Sequence, residues 1–241
     1  MDNKFDIKGN VLVKYNGADK AVIIPEGVTE IAAGAFKEHP DLISVSIPEG
    51  VTKIGASAFE RCPKLVAVFL PNSLIEIKRY AFFGCKILSF ITTLQERERV
   101  MDFRKVDYNQ PENVAAIQKT VSQLPLPSHL LNFGEYAFRE TLWLECKRAS
   151  DIERLVIINT VLVDGEQCPK YLKIPLNVHA ICTNAFEGAY LLDIDVTQNV
   201  VSIEPNAFGT VNVHPQIKVN YKGKKYTKKQ LKDLYELFMQ K

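Results

Sequence analysis

The chain has 241 residues, 46% of them apolar, and a formal net charge of +2. That composition can bury a core and excludes a chain kept disordered by low hydropathy and high charge. The near-neutral total hides an asymmetry, because Gln216 to Lys241 holds eight lysines against Asp233 and Glu236, leaving about −4 on the rest.

In chain order, Phe5, Ile7, Val11 and Val13 alternate around Gly9-Asn10, which predicts a β-hairpin over 5–13. From Val22 the sequence repeats itself. The stretches Val22 to Ile31, Val45 to Ile54 and Val68 to Ile77 recur every 23 residues, and each then reaches an Ala-Phe pair, at Phe36, Phe59 and Phe82. A fixed period of this size marks a solenoid. The offset of 11 from proline to phenylalanine returns at Pro127 to Phe138 and Pro175 to Phe186, and once more from Thr197 to Phe208. Between the third and fourth copies the pattern stops. Glu96 to Arg104 and Pro111 to Gln118 read as helical, and the 56 residues from Pro71 to Pro127 equal two coils plus about ten, so a helical insertion is expected over 94–122. Laying residues 5–36 on 155–186 without gaps gives eleven identities, among them Val11/Val161, Pro25/Pro175 and Phe36/Phe186, which predicts a second hairpin over 155–163. At the end, Thr227 and Gln230 have capping-box spacing, and Leu231, Leu234, Tyr235 and Phe238 share one helical face.

Within a repeat such as Leu42 to Pro48, period-two alternation places Val45 and Ile47 inward and Ser44 and Ser46 outward. Proline cannot donate to a ladder, so it ends the strand where the chain leaves the sheet. Successive strands should stack in parallel at ~4.8 Å, with the second half of each coil as their inner cover. The six phenylalanines then form a buried spine.

Leu42 to Cys62 and Leu65 to Cys85 carry a leucine, an aliphatic-x-aliphatic-Pro strand, an Ile-Gly or Ile-Lys turn, Ala-Phe and a cysteine. This pattern resembles the BspA-like, Treponema-type leucine-rich repeats, closely over 20–90 and 170–210, recognisably over 124–146, and not over 95–120. The resemblance implies an α/β leucine-rich-repeat right-handed solenoid: parallel stacked short strands, two β-hairpins, a helical insertion and a C-terminal capping helix. One solenoid of about eight to nine coils is expected over 1–241. Its parts are a hairpin cap (1–19), coils (20–93), the insertion (94–122), diverged coils (123–154), the second hairpin (155–169), further coils (170–220) and the capping helix (221–241).

His39, Cys62 and Cys85 share one repeat position, three residues after the phenylalanine, so they line up in adjacent coils. A row of soft ligands suggests a metal, yet zinc wants a tetrahedron and buried cysteine packs well, so packing is the expected role. His129, His179 and His214 occupy unrelated positions, and no motif for a metal, nucleotide, cofactor or catalytic nucleophile is present. No enzyme activity and no cofactor are therefore expected. The lysines from Lys222 to Lys229 would suit a polyanion, nucleic acid included, but a cap needs a solvent side of this kind, so capping is the expected role and nucleic acid is not the expected partner. The remaining candidate is the outward strand face, with Ile23, Ser44, Ser46, Phe69, Tyr171, Lys173, Asp193 and Asp195 as ligand-face residues and Phe69 and Tyr171 as anchors. By resemblance the function is a protein-binding scaffold, in relatives often a cell-surface adhesin module, for an unknown protein partner. Met1-Asp2-Asn3-Lys4-Phe5 does not read as a secretory signal, no apolar run reaches ~18 residues, and five cysteines read as reduced thiols, so the expected location is the cytoplasm.

Overall fold

The structure is a computed structural model that describes residues 4–101, 116, 119–121, 123–209 and 213–239. It divides into two compact units, Met1–Ser150 and Asp151–Lys241.

In the first unit β1 (Phe5–Lys8) and β2 (Val11–Tyr15) form the antiparallel hairpin, turning on Gly9 at a φ of 58°. Each following coil then contributes one strand to each of two parallel sheets. One sheet holds β3 (Ala21–Ile23), β5 (Ser44–Ser46), β7 (Ala67–Leu70) and β9 (Phe90–Thr93). The other continues from β2 through β4 (Glu30–Ile31), β6 (Lys53–Ile54), β8 (Glu76–Ile77) and β10 (Asn132–Phe133). The prolines set where the first sheet stops: Ile24 N–H and Ile47 N–H make the last rungs, to the carbonyls of Ser46 and Phe69, and Pro25 and Pro48 follow with no N–H to give. In two coils the turn before the Ala-Phe pair runs so close to the coil before that glycine fills it. A Cβ on Gly134 would lie 2.0 Å from the Arg79 nitrogen of the coil below, and one on Gly55 2.6 Å from the Ala32 carbonyl carbon.

The alanine-phenylalanine pairs close the coils against one another. Phe36, Phe59, Phe82 and Phe138 stack with centroids 4.8, 5.3 and 5.9 Å apart and planes within 14°. Tyr15 starts this row, 5.1 Å from Phe36, and Trp143 ends it, 4.7 Å from Phe138. Trp143 belongs to α2 (Leu142–Ala149), a helix where the repeat pattern predicts only a diverged coil. Thr141 caps it by accepting from Leu144 N–H at 3.2 Å, and the apolar residues Trp143, Leu144 and Cys146 supply the buried face.

The insertion departs from expectation in its accounting. β8 pairs directly with β10 and Phe82 stacks on Phe138, so the 56 residues between those two rings are one coil step, against 23 for its neighbours. All the added chain lies between β9 and β10 of a single coil, rather than making an extra coil. It begins with a 3₁₀ turn at Leu94–Glu96 and the short helix α1 (Arg97–Met101), which contact β7 and β9 respectively. Ala116, residues 119–121 and Gln123 are helical, while most of the helix expected over 111–118 lies outside the described residues.

The second unit repeats the plan. The hairpin of β11 (Val156–Ile158) and β12 (Val161–Asp164) starts a sheet continued by β14 (Ala180–Ile181) and β16 (Ser202–Ile203). The companion sheet holds β13 (Tyr171–Lys173), β15 (Asp193–Val196) and β17 (Lys218–Tyr221), and is closed by the antiparallel β18 (Lys224–Thr227). This last strand occupies residues expected in the capping helix. Lys222 and Gly223 take φ values of 48° and 78°, the pair of left-handed residues a two-residue hairpin turn requires. After a 3₁₀ turn, α3 (Leu231–Met239) covers the last coil with Leu231, Leu234 and Tyr235. Tyr235 extends the second spine: its ring lies 6.2 Å from Phe208, itself 5.7 Å from Phe186, and its hydroxyl accepts from Phe208 N–H at 3.3 Å.

Phe59→Ala removes a ring stacked on both sides and should cost about 3–5 kcal/mol, measurable by chemical denaturation. Ending the chain at Tyr221 deletes β18 and α3 and should cause aggregation or a lower melting temperature. Glutamine at the exposed Lys222, Lys224, Lys225 and Lys229 should move stability by no more than about 0.5 kcal/mol.

Candidate functional site

The outward positions of the first strand sheet are not a free surface. Ile23 is 61% exposed on the edge strand β3, but Ser44, Ser46 and Phe69 are buried, Phe69 to 1% exposure. Ala67, Phe90 and Thr92 beside them are buried as well. The chain leaving β9 covers this face, and the Thr92 hydroxyl donates to the Pro125 carbonyl at 2.9 Å on its far side. Phe69 is thus a core residue between sheet and insertion, and the expectation of an exposed anchor there is corrected. The sequence holds a signal for this. Val66 to Leu70 is an unbroken apolar run, the pattern of a parallel strand buried on both faces.

In the second unit the same positions stay open. Tyr171-Leu172-Lys173, Asp193-Ile194-Asp195 and Lys218-Val219-Asn220 alternate strictly, and only the middle residue of each triplet is buried. The parallel register aligns Tyr171 with Asp193 and Lys218, and Lys173 with Asp195 and Asn220. β18 adds Thr227 beside Lys218 and Lys225 beside Asn220. The face is therefore a grid of two rows, with Tyr171 71% exposed at one corner.

Asn220 organises the centre of that grid. Its Nδ2 donates to Asp193 Oδ1 at 2.5 Å and to Asp195 Oδ1 at 2.7 Å, so both amide protons hold the two carboxylates in place. Tyr171, Asp193, Gln216, Lys218 and Thr227 border an open depression of about 510 Å³. Of the candidate residues, the structure brings together Tyr171, Lys173, Asp193 and Asp195; Ile23 belongs to the other unit. Gln216, Lys218, Asn220, Lys225 and Thr227 complete the surface. The strict alternation of β17 points to Lys218 and Asn220 in the sequence. Lys225 and Thr227 could not be found that way while the tail reads as helix.

The aligned His39, Cys62 and Cys85 each close onto the coil before. Cys62 Sγ donates to the Phe36 carbonyl at 3.1 Å and Cys85 Sγ to the Phe59 carbonyl at 2.9 Å. His39 places one ring nitrogen 2.9 Å from the Gly17 carbonyl and accepts from Leu42 N–H at 3.1 Å with the other. Among the described residues no three His, Cys, Asp or Glu side chains gather as a ligand set. The hydrogen bond to the Cys62 sulfur and burial both push the Cys85 thiol up. Burial pushes Cys168 and Cys182 up to about 12 and Cys146 up to about 11.

The hydrogen bond with Cys85 pulls the Cys62 thiol down, but all five thiols are buried and should label slowly in the native protein and fast in denaturant. Because the folded state keeps protons that the unfolded thiols lose near pH 9, Cys168 and Cys182 stabilise the second unit fully below that pH. The contribution falls as pH rises from 9 toward about 12. Melting temperature should drop over that window, and less so in the Cys168→Ala, Cys182→Ala double variant.

Comparison with known proteins adds the following. A family model for the BspA type leucine-rich repeat region matches in six copies, over residues 15–102, 112–214 and 157–232. Similar solved structures include a leucine-rich repeat protein of T. pallidum, with 21% identity and a TM-score of 0.46, the match covering 88% of this chain and 91% of that one. The pneumococcal vaccine antigen PcpA gives 20% identity and a TM-score of 0.46, covering 97% of this chain and 43% of that one. A leucine-rich repeat protein from Bacteroides ovatus gives 21% and 0.45, covering 88% and 48%. The chain thus spans less than half the length of the last two. No curated protein matches it.

Proposed function

This chain belongs to the BspA-type leucine-rich repeat family, and from that premise we propose that it is a non-catalytic scaffold holding a protein partner on the strand face of its second unit. The observation behind the choice of surface is the contrast between the two strand sheets. One is buried from β5 to β9, with Leu94–Met101 against β7 and β9; the other displays Tyr171, Lys173, Asp193, Asp195, Lys218 and Lys225. Exposed tyrosine is a typical interface anchor, since it supplies a large rigid contact for little lost conformational freedom. Carboxylates already held by Asn220 need no further ordering on binding, which lowers the entropic cost of association. Display as a cell-surface adhesin is the finer form of this reading and rests on the family resemblance alone.

A partner recovered from source-cell lysate on the immobilised chain should be lost with Tyr171→Ala or Asp195→Lys and kept with Ile23→Ser. Equal capture by all three variants would move the binding surface elsewhere.

A second reading has its own observation. Lys222, Lys224, Lys225 and Lys229 are all exposed on the β17–β18 turn and the segment after it, whereas Lys228 donates to the Val213 carbonyl. If a polyanion binds there, retention on heparin should fall steeply between about 0.05 and 0.2 M salt and disappear when those four become glutamine.

A further inference from the structure

We propose that the depression beside Tyr171 takes a neutral saccharide, with the Tyr171 ring as its platform and Asp193 as its hydroxyl acceptor; this rests on the reading of the second strand face as the binding surface. Three features of the depression lead to that chemistry.

The first is the balance of charge. Asp193 and Lys218, paired across the sheet, are the charged residues that line the depression, with Gln216 and Thr227 beside them. A cation would meet Lys218, and an anion would meet Asp193, which Asn220 holds in place. A neutral ligand rich in hydroxyls meets donors and acceptors alternating at strand spacing, about 4.8 Å across the sheet.

The second is how the acceptors are held. Asn220 engages one oxygen of each carboxylate, while its own Oδ1 is buried without a partner. Asp193, which lines the depression, keeps a second oxygen for a ligand. A carboxylate accepting from hydroxyls forms a strong, charge-assisted hydrogen bond, and fixing it beforehand removes the ordering cost that otherwise weakens such contacts.

The third is the aromatic platform. Tyr171 lines the depression and is 71% exposed. The C–H face of a sugar ring stacks on such a surface while its hydroxyls reach the polar groups at the rim. The depression's volume of about 510 Å³ falls within the range of small-ligand sites. Its openness to solvent suits a ring held on one side by stacking.

The test uses the full chain against immobilised neutral tetrasaccharides of glucose, galactose and N-acetylglucosamine, and against a sulfated tetrasaccharide, at about 0.15 and 0.5 M salt. At least one neutral probe should bind equally at both salt levels. Tyr171→Ala and Asn220→Ala should each weaken it at least tenfold, with Tyr171→Phe restoring most of the loss and Lys224→Gln changing nothing. An unchanged melting temperature for Tyr171→Ala separates lost binding from lost folding. No neutral binding, neutral binding indifferent to Tyr171→Ala, or sulfated binding that vanishes at the higher salt would each overturn the inference. Two sources could carry the sugar. Capture of a partner protein that is lost after enzymatic removal of its glycans assigns it to a glycoprotein, and retention of purified neutral polysaccharide assigns it to a free glycan. A partner captured equally with and without its glycans, while the free tetrasaccharides fail to bind, sinks the saccharide and leaves the scaffold standing.

Discussion

Each coil of this chain is incomplete alone, because its strands have unpaired edges and its phenylalanine has one bare ring face. The next coil completes both. Backbone bonds such as Phe36 N–H to the Ala58 carbonyl and Phe59 N–H to the Ala81 carbonyl run between coils, and the rings they carry stack within 14° of parallel. Hydrogen bonding and apolar burial thus depend on one quantity, the coil-to-coil register. That dependence explains why Gly55 and Gly134 stand where a side chain would strike the neighbouring backbone. It also explains why Cys62 and Cys85 bond to carbonyls one coil back.

A stack held this way has a problem at every end, and the chain answers it differently each time. At the start of the first unit, Tyr15 lays its ring on Phe36 and donates its hydroxyl to Asp19 at 2.6 Å. Burial, more than the bond to Asp19, pushes that hydroxyl up to about 12. Trp143 closes the row at its other end. In the second unit Gly165 stands where the duplication has Tyr15, because a Cβ there would lie 2.5 Å from the Phe186 ring. Tyr235, carried by α3, closes the far end. The tyrosines suit a terminus because the ring continues the stack while the hydroxyl meets a polar group at its rim.

The same economy governs the strand faces. The first sheet's outer face is apolar enough to need covering, and the insertion supplies the cover from within one coil. The second sheet's outer face alternates too strictly to bury, so Tyr171, Asp193 and Asp195 remain at the surface with Asn220 between the acids. One repeat pattern, once duplicated, has become a double-sided core in one copy and a candidate recognition surface in the other.

The period of 23, the proline-to-phenylalanine offset and the duplication are written in adjacent residues, and they were enough to read the coils, the spine, both hairpins and the alternation of Tyr171 with Lys173. These features follow from local geometry that repeats. Three others needed the folded chain. The unbroken apolar run of β7 shows that Phe69 is buried, but the segment that covers it comes from beyond Thr93 and is identified only by the fold. The single coil step between Phe82 and Phe138 is visible only when β8 pairs with β10, since chain length does not say whether added residues form a coil or loop out of one. The tail divides into β18 and α3 because β17 offers an edge to pair with, and that edge outweighs the helical reading of the lysines before Thr227. Patterns between neighbours in sequence set the coil, while contacts between distant residues decide which of its faces stays open.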